Sequence, residues 1–177
     1  KIGSNNLDLK ENMPGGSVRG TLAGIAGMTR QPMAADKLPN TKNFEPTEDL
    51  SMSVKAVLHR NGVVLLLKNK RGWDLPGGHV RQGENKITAL MREIFEETGL
   101  KVSNIEDLHM TDDNKHFFSG QFLTDDVVLS DEHEEHGFFS LDELEQLENL
   151  SNKYKEPIYA CLQAELNEQK LVVVLKV

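Results

Sequence analysis

Residues 73–100 have the sequence WDLPGGHVRQGENKITALMREIFEETGL, and this stretch decides the fold. A helix is predicted to begin near Asn85 and to end at Gly99, a residue suited to the left-handed conformation after a helix end. At about 100° per residue, its apolar side chains fall on one side. These are Ile87, Leu90, Met91, Ile94 and Phe95. Glu93, Glu96 and Glu97 fall on the other side, which predicts a core-facing side and a carboxylate side.

The three glutamates repel one another at spacings of i, i+3 and i+4, and each like-charge pair costs a few tenths of a kcal/mol. Glu96 and Glu97 also lie in the last turn, where the helix dipole disfavours negative charge. A hard divalent cation such as Mg²⁺ offsets both effects, because it prefers carboxylate oxygens. The alternative is a solvated acidic face with Arg92 as its partner. The triad alone supports both interpretations equally.

The residues before the helix favour a ligand site. Pro76, Gly77 and Gly78 let the backbone turn tightly and approach a ligand closely. Gly83 is followed by Glu84, a fourth carboxylate at the entrance to the helix.

This pattern resembles the Nudix hydrolase family. The box of that family is G, five residues, E, seven residues, then REUxEExGU, where U is a bulky aliphatic residue. Gly78, Glu84 and residues 92–100 (REIFEETGL) fill every fixed position. The approach WDLPGG is also typical of the family. The resemblance implies an α/β fold, an α/β/α sandwich around a mixed β-sheet, over residues 51–177.

The resemblance also implies roles for the box residues. Glu93, Glu96 and Glu97 would bind Mg²⁺, with Mn²⁺ as a substitute, and Glu84 would be a supporting ligand or water partner. Arg92 would orient the carboxylates. Gly77 and Gly78 would approach the substrate, with the Gly78 carbonyl near the metal.

The general base in this family is a box glutamate, for which Glu96 is the candidate, or an acid on a later loop. Residues 131–136 (DEHEEH) lie where such a loop is expected. At least one of Glu132, Glu134 and Glu135 is predicted to act, and Glu135 is preferred because GFFSL follows it as the next strand and turn. The alternative is a solvated loop.

The implied activity is Mg²⁺-dependent hydrolysis of the diphosphate in a nucleoside diphosphate linked to another moiety. Nucleotide sugars, ADP-ribose, dinucleoside polyphosphates and nucleoside triphosphates all stay open, because the subgroup signatures are mostly missing. Phe117 is a candidate for stacking on the base, as is Phe118, although two adjacent Phe residues in a strand more often belong to a core. The partner is therefore a small nucleotide.

Two other functions are considered. One is a non-catalytic nucleotide-sensing module, which has no need of four intact glutamates. The other is RNA cap hydrolysis, for which the basic residues beside the box are Lys68, Lys70, Arg71 and Arg81. The net charge of -8 repels polyanions, so a nucleic-acid partner is disfavoured.

The rest of the chain divides into a neutral, Gly- and Pro-containing arm or linker over residues 1–50 and a domain over 51–177. Residues 51–67 predict a β-hairpin with Asn61-Gly62 as its turn. Strands are predicted over 101–110 and 116–123, helices over 141–150 and 157–169, and a last strand over 171–177. This order predicts a mixed sheet covered by helices.

The chain has 177 residues, enough for one domain, and no apolar run near the roughly 18 residues of a membrane helix. The single Cys161 allows no intrachain disulfide, which indicates a reducing compartment, with the cytoplasm as the default. Cys161 itself is predicted to be buried filler rather than a nucleophile. A homodimer is common in the family.

Overall fold

The computed structural model describes residues 49–174, so the arm predicted over residues 1–50 lies almost wholly outside the described residues. The strands in this range are β1 (Ser53–Arg60), β2 (Val63–Asn69), β3 (Gly72–Asp74), β4 (Val102–Asp112), β5 (Lys115–Phe122) and β6 (Glu135–Phe139). The helices are α1 (Lys86–Thr98), α2 (Leu141–Gln146) and α3 (Asn152–Val174). No helix in these residues is long and apolar enough to cross a membrane.

The sheet is mixed, as predicted. Its strands lie in the order β3-β2-β1-β5-β4, and β6 pairs with β2. β1 runs parallel to β5, whereas the other neighbours are antiparallel. Only the end of β1 pairs with β2, at His59 and Arg60. The first half of β1 is thus open on that side to another segment, and residues 76–78 fill the place.

Helices cover both faces of the sheet, which confirms the α/β/α sandwich. On one face, α1 buries Leu90 and Ile94 among Leu65, Leu67 and other residues of a first core cluster. On the other face, α3 buries Ile158 and Leu162 in a second cluster. Complete burial of such side chains stabilises the fold by roughly 1.5–3 kcal/mol each.

Helix α1 begins and ends where the sequence predicts. The Asn85 side chain accepts a hydrogen bond from the Thr88 amide, and Gly99 ends the helix with a φ of 67°. These two caps satisfy backbone groups that the helix cannot pair internally. They fix where the box glutamates lie along the helix.

The predicted hairpin is also present. Asn61 and Gly62 both have positive φ, which is the requirement of a type I′ turn. Glu165, on α3, accepts hydrogen bonds from the amides of Asn61 (2.8 Å) and Gly62 (3.1 Å) and lies 3.1 Å from Nδ1 of His59. One carboxylate therefore ties α3 to the β1–β2 turn.

The C-terminal predictions need correction. Residues 171–174 are helical rather than a strand, because α3 continues to Val174 and supplies its own backbone hydrogen bonds; residues 175–177 lie outside the described range. Pro157 is within α3 rather than in its first turn, since the helix already begins at Asn152. The helix predicted over 141–150 ends at Gln146, because Asn149 and Leu150 pair with Trp73.

Cys161 is buried, as expected of a filler residue, and burial raises the pKa of its thiol to about 11. A thiol with this pKa is almost fully protonated near neutral pH.

Replacing Glu165 with Ala should lower the free energy of unfolding by about 1–3 kcal/mol, because the Asn61 and Gly62 amides lose their acceptor. Urea unfolding measures the change, and Glu168→Ala, an exposed α3 residue, is the control. Burial opposes ionisation of Glu165, but the hydrogen bonds outweigh it and the pKa is lowered. The Glu165 contribution should therefore disappear as the pH falls below about 4.5. An equal effect of both substitutions would contradict this role.

Candidate active site

A cavity of about 1280 Å³ opens beside the N-terminal half of β1. Glu93, Glu96 and Glu97 of α1 all line it, and we call these three residues the carboxylate wall. The Gly77–Gly78 turn and the acidic loop 131–134 line the same cavity. The fold thus brings together the segments that the sequence singled out as box, glycine turn and later loop.

The segment 75–78 is held by hydrogen bonds along its backbone. The Val54 amide donates to the Gly78 carbonyl, and the Ala56 amide donates to the Pro76 carbonyl, each at 2.9 Å. The Gly77 amide donates to Oε2 of Glu97 at 2.7 Å. The turn therefore behaves as a short extra strand beside β1 that fixes Glu97.

Lys55 of β1 also holds this turn in place. Its Nζ donates to the carbonyl oxygens of Leu75 (3.0 Å) and Gly77 (3.1 Å) and lies 3.0 Å from Oδ1 of Asp74. The Lys55 side chain is only 9% exposed. A buried ammonium is costly unless carbonyl and carboxylate oxygens surround it, as they do here.

Close approach to β1 requires glycine at position 77. Gly77 has a φ of 133°, and a Cβ there would lie 2.0 Å from the Val54 carbonyl oxygen, so any side chain would push the turn away from β1. A Cβ on Gly78 would lie 2.6 Å from Cδ of Glu93 and would displace the carboxylate of that side chain.

Arg92 contacts three of the four box glutamates. It binds Glu84 with two hydrogen bonds (2.7 and 2.9 Å), Glu93 at 2.6 Å and Glu96 at 3.3 Å. Its hydrogen bond with Glu84 is the main reason why the pKa of that carboxyl is lowered. Arg92 therefore holds these three side chains in place and favours the ionised form of Glu84. Its orienting role in a metal site stays a prediction.

Glu84 is held on two sides. Beyond Arg92, its Oε2 accepts a hydrogen bond from the Arg81 amide at 2.9 Å. Glu84 is also not among the residues that line the cavity. Its contacts are those of an Arg92 partner, and a ligand role stays a prediction.

Glu97 differs from the other members of the wall because it is buried. Desolvation raises its pKa to about 8, although the Gly77 amide and the Lys55 charge oppose the rise. His133 Nε2 lies 3.7 Å from Oε1 of Glu97, and burial lowers the pKa of this histidine. The negative charge of Glu97 is therefore poorly compensated by its surroundings.

The residues of the acidic loop line two different cavities. Asp131, Glu132, His133 and Glu134 line the large cavity. Glu135, the first residue of β6, instead forms an ion pair with Lys68 at 3.1 Å and lines a smaller cavity of about 300 Å³. The preferred base Glu135 is therefore not among the residues that line the cavity of the carboxylate wall.

The assignment of Phe117 to substrate stacking needs correction. Phe117 is 2% exposed and packs in the core against Tyr154, with ring centroids 6.3 Å apart. Phe118 is buried as well. β5 is a central strand covered on both faces, so neither ring reaches the cavity.

Sequence reasoning missed three residues that line this cavity. Lys55 is at a polar position of a strand whose apolar residues alternate, and nothing in that local pattern predicts its burial. Asp74 and Tyr154 both line the cavity and interact with each other, 80 positions apart in the chain. Only tertiary packing brings them together.

The family model of the NUDIX domain matches residues 49–161. The chain belongs to the Nudix hydrolase family. An ADP-ribose pyrophosphatase of Methanocaldococcus jannaschii is 32% identical over 111 residues, which cover 55% of this chain and 66% of that protein. A putative 8-oxo-dGTP diphosphatase of Bacillus subtilis is 51% identical over 45 residues, or 24% of this chain and 30% of that protein. The matches span slightly less than two thirds of the first relative and under a third of the second.

Solved Nudix structures share the fold. A NUDIX family hydrolase from Clostridium perfringens has a TM-score of 0.58 at 17% identity, over 64% of this chain and 96% of that one. An ADP-ribose pyrophosphatase from Streptococcus suis has a TM-score of 0.54 at 27% identity, over 64% of this chain and 90% of that one. The first likeness concerns the fold alone.

The Nudix box fits a divalent cation by the chemistry of its donors. The described residues contain no preformed group of three or more His, Cys, Asp or Glu side chains arranged for a metal. Glu93 and Glu96 are held by Arg92 and Arg81 in this structure. However, the buried and poorly compensated Glu97 carboxylate lies on the same cavity wall, and carboxylate oxygens are the ligands that Mg²⁺ prefers.

The metal-free protein should lose stability as the pH rises from about 4.5 to about 8. The pKa of Glu97 is raised on folding, so its contribution is complete below 4.5 and is lost as the pH passes 8. The expected loss is on the order of a few kcal/mol. Urea unfolding in chelator at a series of pH values measures it.

Glu97→Gln should flatten this pH dependence, because its amide does not ionise. Adding Mg²⁺ at pH 8 should raise the melting temperature of the wild type more than that of Glu97→Gln. Glu168→Gln is the matched control and should behave as the wild type. If the free energy of unfolding of Glu97→Gln fell with rising pH as steeply as that of the wild type, Glu97 would not be the titrating group.

Proposed function

We propose that this chain is a Mg²⁺-dependent pyrophosphohydrolase that cleaves the diphosphate of a nucleoside diphosphate linked to another moiety. The observation that carries the proposal is the meeting of the carboxylate wall and the Gly77–Gly78 turn on one cavity. The cavity is large enough for a nucleotide, since typical small-ligand sites have about 300–1000 Å³.

Glu93, Glu96 and Glu97 would hold Mg²⁺, and Gly78 lies against the Glu93 carboxylate. When bound, Mg²⁺ neutralises charge on the diphosphate and lowers the pKa of the attacking water. Arg92 contacts both Glu93 and Glu96 and would orient them. The Gly77 amide and Lys55 hold Glu97 in place on the other side.

In the reaction, water forms a bond to one phosphorus atom and the bridging P–O bond breaks. The proton of the water passes to a general base, and the products are a nucleoside monophosphate and a phosphate-bearing remainder. Glu132 and Glu134 on the cavity side of the loop are the stronger candidates for this base. Glu96 is the candidate within the box, whereas Glu135 lines a different cavity.

ADP-ribose is the first substrate to consider. Two similar proteins are named for ADP-ribose pyrophosphatase activity, at 32% and 27% identity. The short match to a putative 8-oxo-dGTP diphosphatase keeps nucleoside triphosphates in the comparison. A homodimer and a cytoplasmic location stay predictions.

With Mg²⁺ present, the purified protein should cleave at least one compound of a test panel. The panel comprises ADP-ribose, nucleotide sugars, dinucleoside polyphosphates and nucleoside triphosphates. Glu97→Gln should lower kcat at least 100-fold, because the site loses a metal-binding charge. Chromatography of the phosphate-containing products measures turnover, and Mn²⁺ should replace Mg²⁺ in part.

Glu168→Gln should keep full activity, since this residue is exposed on α3. Absence of turnover by well-folded protein would support a nucleotide sensor, and ligand binding would then be measured in its place. Equal turnover by wild type and Glu97→Gln would refute the metal assignment.

Substitution of the loop acids should identify the base. Glu134→Gln or Glu132→Gln is expected to reduce kcat by about 100-fold with little change in KM, as for loss of a general base. Glu135→Gln is the comparison, because it removes the same charge from a residue that lines a different cavity. A large loss of kcat confined to Glu135→Gln would restore the preference drawn from the sequence.

A further inference from the structure

The cavity has a second charged region, formed by basic residues from three elements. Lys70 and Arg71 are in the β2–β3 turn, Lys115 begins β5, and Lys153 is in the first turn of α3. We call these four residues the basic rim. All four line the cavity that also contains the carboxylate wall.

This cavity contains a large share of the basic residues in the described part of the chain. Residues 49–174 contain thirteen Lys and Arg residues, and six of them line this cavity. Two of the six, Lys55 and Arg81, contact acids of the Nudix box region. The other four form the basic rim, in a chain whose net charge is -8.

Local acids neutralise the basic rim only in part. Asp112 and Asp113, in and after β4, both form ion pairs with Lys153. Within residues 49–174, the ion pairs of the structure include none with Lys70, Arg71 or Lys115, although the charge of Lys115 also acts on Asp113 and contributes to its lowered pKa. In that range, Lys70 and Arg71 are therefore the members of the rim on which no neighbouring carboxylate acts in this way.

Lys115, in the basic rim, lies to one side of the Gly77–Gly78 turn. It pairs with Ser53 across β1 and β5, and Ser53 forms a bridge with His79, next to Gly78. Two strand spacings separate the backbones of Lys115 and His79, or about 10 Å. A phosphate bound on the side of Lys115 that is away from His79 would therefore lie outside the diphosphate that is cleaved at the wall.

We infer that the basic rim is a binding subsite for an additional phosphate of the substrate. The inference rests on the proposed function and narrows its substrate class to nucleoside diphosphate derivatives that carry a further phosphate beyond the scissile pair. Arg and Lys side chains bind phosphate oxygens by charge-assisted hydrogen bonds, and the walls of a cleft reduce their screening by solvent.

The test compares compounds that differ by one phosphate, placed at three different positions. The pairs are ADP-ribose with 2′-phospho-ADP-ribose, dephospho-coenzyme A with coenzyme A, and diadenosine triphosphate with diadenosine tetraphosphate. For each pair, the selectivity ratio is kcat/KM of the more phosphorylated compound over that of the other. We expect a ratio of about ten or more in at least one pair, falling as NaCl rises from about 0.05 to 0.3 M.

In the Arg71→Gln and Lys115→Gln variants, the selectivity ratio should fall to about one, within a factor of two. Asp113→Asn should raise it, because Lys153 would lose an acidic partner. Lys101→Gln removes the same charge from an exposed site outside the cavity and should keep the wild-type ratio. A merely structural defect would reduce kcat/KM equally for both compounds of a pair and would leave the selectivity ratio unchanged.

Binding of the same pairs, measured by calorimetry in chelator so that no turnover occurs, separates this inference from the proposed function. If the protein cleaves these compounds but neither kcat/KM nor binding distinguishes the two members of any pair, the subsite is overturned and the proposed function stands. Selective binding that Arg71→Gln abolishes, without cleavage, would support the subsite and refute the hydrolase. Selectivity that persists in both Arg71→Gln and Lys115→Gln would also overturn the subsite.

Discussion

The hydrogen bond from the Gly77 amide to the buried Glu97 carboxylate is the contact on which the site depends. It joins the last turn of α1 to a turn that pairs with β1, so it connects the helix to the sheet. Because Gly77 has a left-handed φ and no room for a Cβ, only glycine allows this approach. Lys55 holds the same turn from the opposite side and places a positive charge near Glu97.

Because of these contacts, the carboxylates of the wall differ in how well the surrounding protein compensates their charge. Glu93 and Glu96 lie against arginines and are partly exposed, so their charges are compensated in the protein alone. Glu97 is desolvated, and its pKa of about 8 shows that the surroundings do not fully compensate its charge. A site with one undercompensated carboxylate beside two neutralised ones is suited to take up a cation by exchanging arginine contacts for metal contacts.

The lining of the cavity around this wall contains two charged regions. Acids from α1 and from the loop 131–134 form one of them, and the basic rim forms the other. The two regions come from five separate segments that meet only because β1 has the glycine turn on one side and β5 on the other. Under the proposed function, substrate selection would therefore depend on the edges and turns of the sheet, whereas bond cleavage would depend on α1.

The sequence alone determined α1, its limits at Asn85 and Gly99, the carboxylate wall and the mixed sheet, because these follow from periodicity and from contacts a few residues apart. It did not determine the burial of Lys55, the core position of Phe117, the cavity that Glu135 lines or the end of α3. Each of those depends on which distant segment packs against the residue, and a strand pattern is the same whether one face or both are covered. The basic rim has the same origin, since Arg71, Lys115 and Lys153 approach one another only after the sheet has formed and α3 has packed on it.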